Sequence, residues 1–208
     1  MNMKNKFLKY AAVISIPVYV VFTFISHLFN NKIAPLTNWL SDFGNPLLNP
    51  SGALIYNMGC IIVAALLFVF SIGMYQWYKN RKIKKKYRIS YICAQLSGMI
   101  ASIFLVLASV FTLGTYTSLH GIFGMLHMIF TDCFMEFTAI AFLMNPNIEK
   151  RIGIFAFLVA GFNIVTTNAF SSLFIAEWIY FLLFMIYMVI ITLQYDKLVR
   201  EDETVSDQ

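Results

Sequence analysis

The chain has 208 residues, of which 60% are hydrophobic and 12% are charged, and its formal net charge is +5. Soluble domains contain about 25% charged residues, so this composition excludes a soluble globular protein and predicts an integral membrane protein. Nucleic-acid binding requires basic residues spread over a docking surface, and no such surface is visible, so we expect no nucleic-acid partner.

Six apolar stretches each reach the roughly 20 residues that a helix needs to cross a bilayer. They cover residues 7–28, 53–77, 89–113, 122–144, 153–170 and 173–193. The sequence therefore predicts an all-α fold, a polytopic bundle of six transmembrane helices that forms one domain over residues 1–198. Residues 199–208 lack apolar periodicity and are predicted to form a short disordered tail.

One short basic block, which begins at Lys79 and ends at Arg88, contains seven of the fifteen Lys and Arg residues. Such a block cannot enter hydrocarbon, and the positive-inside rule keeps it cytoplasmic. When the six spans alternate, every other Lys and Arg except Lys32 falls on the same side. The sequence therefore predicts a multi-pass protein of the cell membrane with both termini cytoplasmic. Membrane lipids are the expected partners, and anionic headgroups are possible ligands of the basic block.

The longest connection, residues 29–52, lies on the outer side in this orientation. Ile33, Leu36, Leu40 and Phe43 recur at helical spacing, so a short helix over residues 36–43 is predicted to lie in the interface. Closely spaced Gly, Pro, Asn and Asp residues follow and predict ordered turns. The Asn49-Pro50 pair is typical of a cap and first residue of the second span.

This loop has a distinctive sequence, which runs Leu40-Ser41-Asp42-Phe43-Gly44-Asn45 and then Asn49-Pro50-Ser51-Gly52 before a long apolar helix. It resembles the bacterial and archaeal membrane proteins grouped as domain of unknown function 998, and the six-span layout extends the resemblance over most of the chain. That family implies the fold but no activity. A fainter likeness, in the Ser-Asp-x-Gly turn after the first span, links the chain to the damage-regulated autophagy modulators and FGF-receptor-activating proteins, which are associated with lipid and membrane remodelling. In this chain Asn45-Pro46 replaces the double proline and acidic residue that usually follow the glycine in those proteins.

Ionisable and amide side chains inside the spans usually face a bundle interior or a water-filled cavity, and they are therefore the candidate functional residues. We predict a polar cavity lined by a set of residues on spans two, four and five: Asn57, His127, Asp132, Glu136, Asn163 and Asn168. A second set is predicted to form the outer rim of that cavity: His27, Asp42, Asn45, His120 and Glu177.

The fourth span has two polar surfaces. Asp132 and Glu136 are four residues apart and share one face, and two carboxylates at that spacing in a low dielectric predict that one stays protonated. His127 and Asp132 differ by about 140° around a regular helix, because each residue adds about 100°. Either the helix is irregular or its two surfaces contact different neighbours.

Metal and cofactor signals are weak. His120 and His127 are candidate metal ligands, but their spacing is not a recognised zinc motif, and we predict no metal site. Gly-rich phosphate loops and a nucleophile elbow are absent from the sequence, so no cofactor is predicted.

These patterns leave three functions open, and whether the protein is an enzyme is not determined by the sequence. The favoured hypothesis is binding or transport of a lipid or small amphiphile through an outward-facing polar cavity. The second is a membrane-embedded lipid hydrolase or acyl remodeller, with or without a metal ion, that uses His120, His127 and either Asp42 or Glu177. The third is a non-catalytic partner or scaffold subunit.

Overall fold

The computed structural model describes residues 3–79, 85–169 and 173–204. These residues form six long helices: α1 (Met3–Phe29), α2 (Ala53–Gly73), α3 (Lys85–Val110), α4 (Thr117–Met144), α5 (Lys150–Ala169) and α6 (Phe174–Thr204). All six are long and apolar enough to cross a membrane. The prediction of an all-α bundle of six spans is confirmed.

The helices differ from the predicted spans mainly at their ends. Helix α4 begins at Thr117, five residues before the predicted start, because polar residues extend the helix beyond the apolar run. Helix α6 continues to Thr204, and residues 205–208 of the predicted tail lie outside the described residues. Of the basic block, residues 80–84 and the side chains of residues 85 and 86 also lie outside them.

The helices are arranged as a ring. Each helix packs against its neighbour in the chain, and α6 returns to pack against α1. A salt bridge of 2.7 Å joins Lys9 Nζ on α1 to Asp196 Oδ2 on α6, and the ring of Tyr19 on α1 stacks on that of Phe181 on α6 with 5.8 Å between centroids. The loop of residues 30–52 defines the loop end of the bundle, and the end where α1 begins and α6 finishes is the terminal end.

The terminal end is filled by an aromatic layer of five buried or nearly buried side chains from α2, α3, α4, α6 and the turn after α2: Phe70, Trp77, Tyr91, Phe142 and Tyr195. Trp77 is fully buried, and its ring lies 5.8 Å from Tyr91 and 5.7 Å from Tyr195, edge to face in both cases. The Tyr195 hydroxyl donates a hydrogen bond of 2.8 Å to the Gly73 carbonyl. These rings therefore pack closely across the terminal end.

At the loop end, the loop folds into a compact, hydrogen-bonded structure. A 3-10 helix, Leu40–Gly44, replaces the longer helix predicted over residues 36–43. Leu40 and Phe43 are buried as the apolar spacing predicts, whereas Leu36 is 76% exposed. Five residues give little more than one turn, and the capping carboxylate of Asp42 starts that turn at Leu40.

Asn49 connects the loop to two helices. Its Nδ2 donates hydrogen bonds to Ser26 Oγ (2.9 Å) and to the Phe43 carbonyl (3.2 Å), and its Oδ1 accepts the Gly52 N–H at 3.1 Å. Helix α2 begins only at Ala53, three residues later than an Asn49 cap predicts. Asn49 therefore caps the turn that precedes the helix, and it attaches that turn to α1.

Gly114, in the turn between α3 and α4, has a φ of +88°, a conformation that costs other residues about 1 to 2 kcal/mol. A Cβ atom there would lie 2.2 Å from Asn45 Oδ1. We expect Gly114→Ala to lower the free energy of unfolding by about 2 kcal/mol, because strain and collision add. Thermal unfolding in detergent micelles measures this loss. Gly161→Ala, where an added Cβ meets nothing within 4 Å, is the control, and equal losses in the two variants would contradict the prediction.

Candidate functional site

A cavity of about 390 Å³ lies inside the ring at the loop end. Helices α2 to α6 and the loop all contribute to its wall. Its lining combines aromatic and aliphatic side chains with a few polar ones, and the polar members are Ser41, Asn57, Ser109, His120, His127, Asn163, Thr166, Thr167 and Glu177. Ligand sites in proteins are typically cavities of about 300 to 1,000 Å³ with mainly apolar walls and a small number of placed polar groups.

The two cavity histidines share one geometry. His127 is buried, and its Nδ1 lies 3.0 Å from the Ala101 carbonyl oxygen on α3. His120 Nδ1 lies 2.9 Å from the Ala108 carbonyl at the last turn of α3, whose carbonyls have no partner within the helix. A carbonyl oxygen only accepts hydrogen bonds, so Nδ1 bears the proton in both rings. In the neutral form, Nε2 of each histidine is then a hydrogen-bond acceptor.

A buried network forms the floor of the cavity. Asn163 Nδ2 on α5 donates a 2.7 Å hydrogen bond to Asp132 Oδ2 on α4, and the Tyr180 hydroxyl on α6 donates one of 2.9 Å to Asp132 Oδ1. Asn163 lines the cavity and Asp132 lies behind it. One carboxylate therefore joins three helices and fixes the orientation of the Asn163 amide.

The loop forms the roof of the cavity and is attached to α2 and α6. Glu177 Oε2 accepts the Leu40 N–H at 2.7 Å, and the Trp178 indole N–H donates to the Asn38 carbonyl at 3.0 Å. On α2, Asn57 Nδ2 donates to the Gly44 carbonyl at 2.9 Å. Trp39 and Ser41 from the loop face the cavity.

The structure brings five of the predicted site residues together in the cavity wall: Asn57, His120, His127, Asn163 and Glu177. Asp132 lies beneath them, and Glu136 is half-buried one turn further along α4, outside the cavity lining. The two carboxyl groups predicted to share a proton therefore have different surroundings, because Asp132 accepts hydrogen bonds from side chains on α5 and α6. Of the two arrangements left open for α4, the structure has the second, in which His127 contacts α3 and Asp132 contacts α5 and α6.

The other predicted rim residues belong to the loop framework or to a different surface. Asp42 Oδ2 accepts the Trp39 N–H at 3.0 Å, and Asn45 Oδ1 accepts the Leu47 N–H at 2.9 Å. His27 lines a separate cavity of about 430 Å³ between α1 and α6, which is otherwise almost entirely apolar. The side chain of Asn168 lies outside the described residues.

Sequence reasoning missed Tyr180, which holds the floor, and two glycines in the wall, Gly121 and Gly124. A signal for Tyr180 exists, because a tyrosine hydroxyl inside a span needs a hydrogen-bond partner, and Tyr180 follows Glu177 by three residues on the same helical face. The glycines have no such signal, since the space beside them depends on the relative placement of α4 and α5.

A known protein family matches most of the chain. A family model described as "Protein of unknown function (DUF998)" matches residues 13–194, which is most of the chain. The chain belongs to this family. Neither the curated proteins nor the solved structures give a match. The likeness to the damage-regulated autophagy modulators stays a resemblance.

The loop residues that suggested the DUF998 family have a structural role in this member. They form the capped 3-10 helix and the Asn49 junction, and Ser41 of this segment lines the cavity. Among the residues that the structure describes, no three His, Cys, Asp or Glu side chains are grouped closely enough to hold a metal ion. Five aromatic, His or Glu side chains instead give the cavity an amphipathic wall: Trp39, Tyr56, His120, Glu177 and Phe181.

Proposed function

We propose that this DUF998 protein binds a lipid or small amphiphile in the cavity at the loop end. The observation that supports it is a cavity of about 390 Å³ with a mixed polar and apolar lining inside a membrane-type bundle. The proposal includes the orientation inferred from the Lys and Arg distribution, with both termini cytoplasmic and the loop end on the outer side of the cell membrane. An amphiphile suits this position, since its chain matches the apolar wall and its head group matches the polar side chains.

Gly121 and Gly124 on α4 support the proposal further. Both line the cavity, and a Cβ atom added at either position would meet nothing within 4 Å. Glycine inside a helix costs about 0.5 to 1 kcal/mol relative to alanine. Because these two positions have no side chain, an occupant of the cavity has room beside α4.

The test fills the space beside Gly121 and Gly124 with larger side chains. The full chain is reconstituted in phosphatidylcholine nanodiscs and photolabelled with a dodecyl amphiphile that bears a diazirine on its chain, and labelled peptides are mapped by mass spectrometry. Wild-type protein should show saturable labelling of peptides from α4, α5 and α6 that line the cavity. We expect Gly121→Leu/Gly124→Leu to reduce that labelling at least about tenfold, because two leucine side chains would occupy the cavity.

Gly161→Leu is the matched control, because Gly161 also has open space beside it but lies outside the cavity lining. It should keep wild-type labelling, and both variants should remain monodisperse in detergent. Labelling spread over the outer faces of all six helices, unchanged by the double substitution, would contradict the proposal.

The hydrolase and scaffold hypotheses have no specific observation in their favour. His120 and His127 contact backbone carbonyls of α3, and Asp42 and Glu177 accept backbone N–H groups of the loop. None of these contacts pairs a base with a nucleophile in the way that nucleophilic catalysis requires.

A further inference from the structure

The hydrogen bonds around the cavity have a common direction. Five polar side chains of the wall give a hydrogen to a backbone carbonyl of the protein: Asn57 to Gly44 (2.9 Å), Ser109 to Leu105 (2.7 Å), His120 to Ala108 (2.9 Å), His127 to Ala101 (3.0 Å) and Thr166 to Phe162 (2.8 Å). Asn163 gives one to the Asp132 carboxylate. The hydroxyl groups have one hydrogen each, and so do the neutral imidazoles. These groups therefore offer mainly lone pairs to anything inside the cavity.

The amides retain a limited donor capacity. Asn57 and Asn163 each have a second amide hydrogen, and the carbonyl oxygen of each remains an acceptor. The indole of Trp39, which also lines the cavity, adds one N–H donor. The four acceptors contributed by His120, His127, Ser109 and Thr166 outnumber these three hydrogens. A ligand that donates more hydrogen bonds than it accepts fits this wall best, because an acceptor left without a partner in a binding site is unfavourable.

Acidic side chains lie near the cavity. Glu177 lies in the wall and Asp132 beneath the floor, and no Lys or Arg is present among the described residues that line the cavity. Lys32, in the loop, is exposed to solvent. Three aromatic rings, those of Trp39, Tyr56 and Phe181, also line the cavity, and aromatic faces attract cations.

We propose that the head group held in this cavity is a primary ammonium, a cation that donates hydrogen bonds, on a single-chain or lipid-like amphiphile. This inference rests on the proposed function and specifies its ligand class. An ammonium has three donors and no acceptor, which complements the lone pairs of the wall. A carboxylate or phosphate head group would meet mainly lone pairs, and that contact is repulsive.

The test uses the same photolabel and nanodiscs, with four unlabelled competitors that share a dodecyl chain: dodecylamine, dodecyltrimethylammonium, dodecanol and dodecanoate. Dodecylamine should displace the cavity label at about tenfold lower concentration than dodecanoate, because one charge-assisted hydrogen bond is worth about 1.5 kcal/mol or more. It should also outcompete dodecyltrimethylammonium, which has the charge but no N–H donor.

Glu177→Gln replaces the carboxyl group with an amide, which donates hydrogen bonds, and keeps an oxygen for the Leu40 N–H. It should reduce the preference for dodecylamine over dodecanoate several-fold, while Glu136→Gln, outside the cavity lining, should leave it unchanged. Equal competition by dodecanoate and dodecylamine at a saturable cavity site would overturn the ammonium assignment and leave the binding proposal intact. Equal competition by the trimethyl compound would overturn the donor argument. Absence of saturable cavity labelling would overturn both proposals.

Discussion

Replacing Asn49 with alanine is expected to lower the free energy of unfolding by about 3 kcal/mol. Asn49 is fully buried, and its amide bonds Ser26 on α1, the Phe43 carbonyl in the 3-10 helix and the Gly52 N–H before α2. Alanine has no polar atom to replace them, and each buried partner left without a hydrogen bond costs about 1 to 3 kcal/mol. Thermal and denaturant unfolding of the purified protein in micelles measures the loss.

Asn31→Ala is the matched control, because Asn31 lies in the same loop and is exposed. Its stability should change by no more than about 0.5 kcal/mol. A second readout follows from the position of Asn49, because a loosened loop should expose the roof to proteolysis before the helices unfold. Equal stability of Asn49→Ala and Asn31→Ala would show that the junction does not hold the loop.

Replacing Asp132 with alanine is expected to cost about 2 to 3 kcal/mol. The substitution leaves the Asn163 amide and the Tyr180 hydroxyl without their shared acceptor in a buried site. Hydrogen bonds between membrane helices contribute about 0.6 to 1.7 kcal/mol each, and the unpaired donors add to that loss. The measurement is unfolding in mixed micelles, with Tyr180→Phe and the double variant completing a thermodynamic cycle.

The cycle should give a coupling energy near 1 kcal/mol between Asp132 and Tyr180. Glu136→Ala supplies the comparison, since Glu136 is a half-buried carboxylate on the same helix, one turn away. It should cost less than about 1 kcal/mol. A larger loss at Glu136 than at Asp132, or additive effects at Asp132 and Tyr180, would contradict the assigned network.

The helices follow from the sequence because hydrophobic length alone determines whether a segment spans a bilayer. The site follows less completely, for a physical reason. Helical periodicity places His127 and Asp132 on different faces of α4, but it does not say which neighbour each face meets. That depends on the closure of the ring by α6 against α1. The sequence predicts Glu177 and His120 at the rim of the cavity. Their contacts in the structure show that Glu177 caps the 3-10 helix of the loop and that His120 caps the end of α3.

The loop was predictable as an ordered turn but not as a roof. Its glycines, prolines and asparagines indicate where the chain reverses, whereas the contacts that fix it are distant in sequence, such as Glu177 with Leu40 and Trp178 with Asn38. The resemblance to the DUF998 family at Leu40 to Asn45 indicates the segment that forms the 3-10 helix beside the cavity. Its structural meaning depends on side chains from α2 and α6.

The aromatic layer at the terminal end lies between the cavity and the end of the bundle where the chain begins and finishes. Trp77 is fully buried there with Tyr91 and Tyr195 against it. We therefore expect this layer to act as a barrier to solutes along the bundle axis. Vesicles containing the protein should then retain a trapped ion gradient.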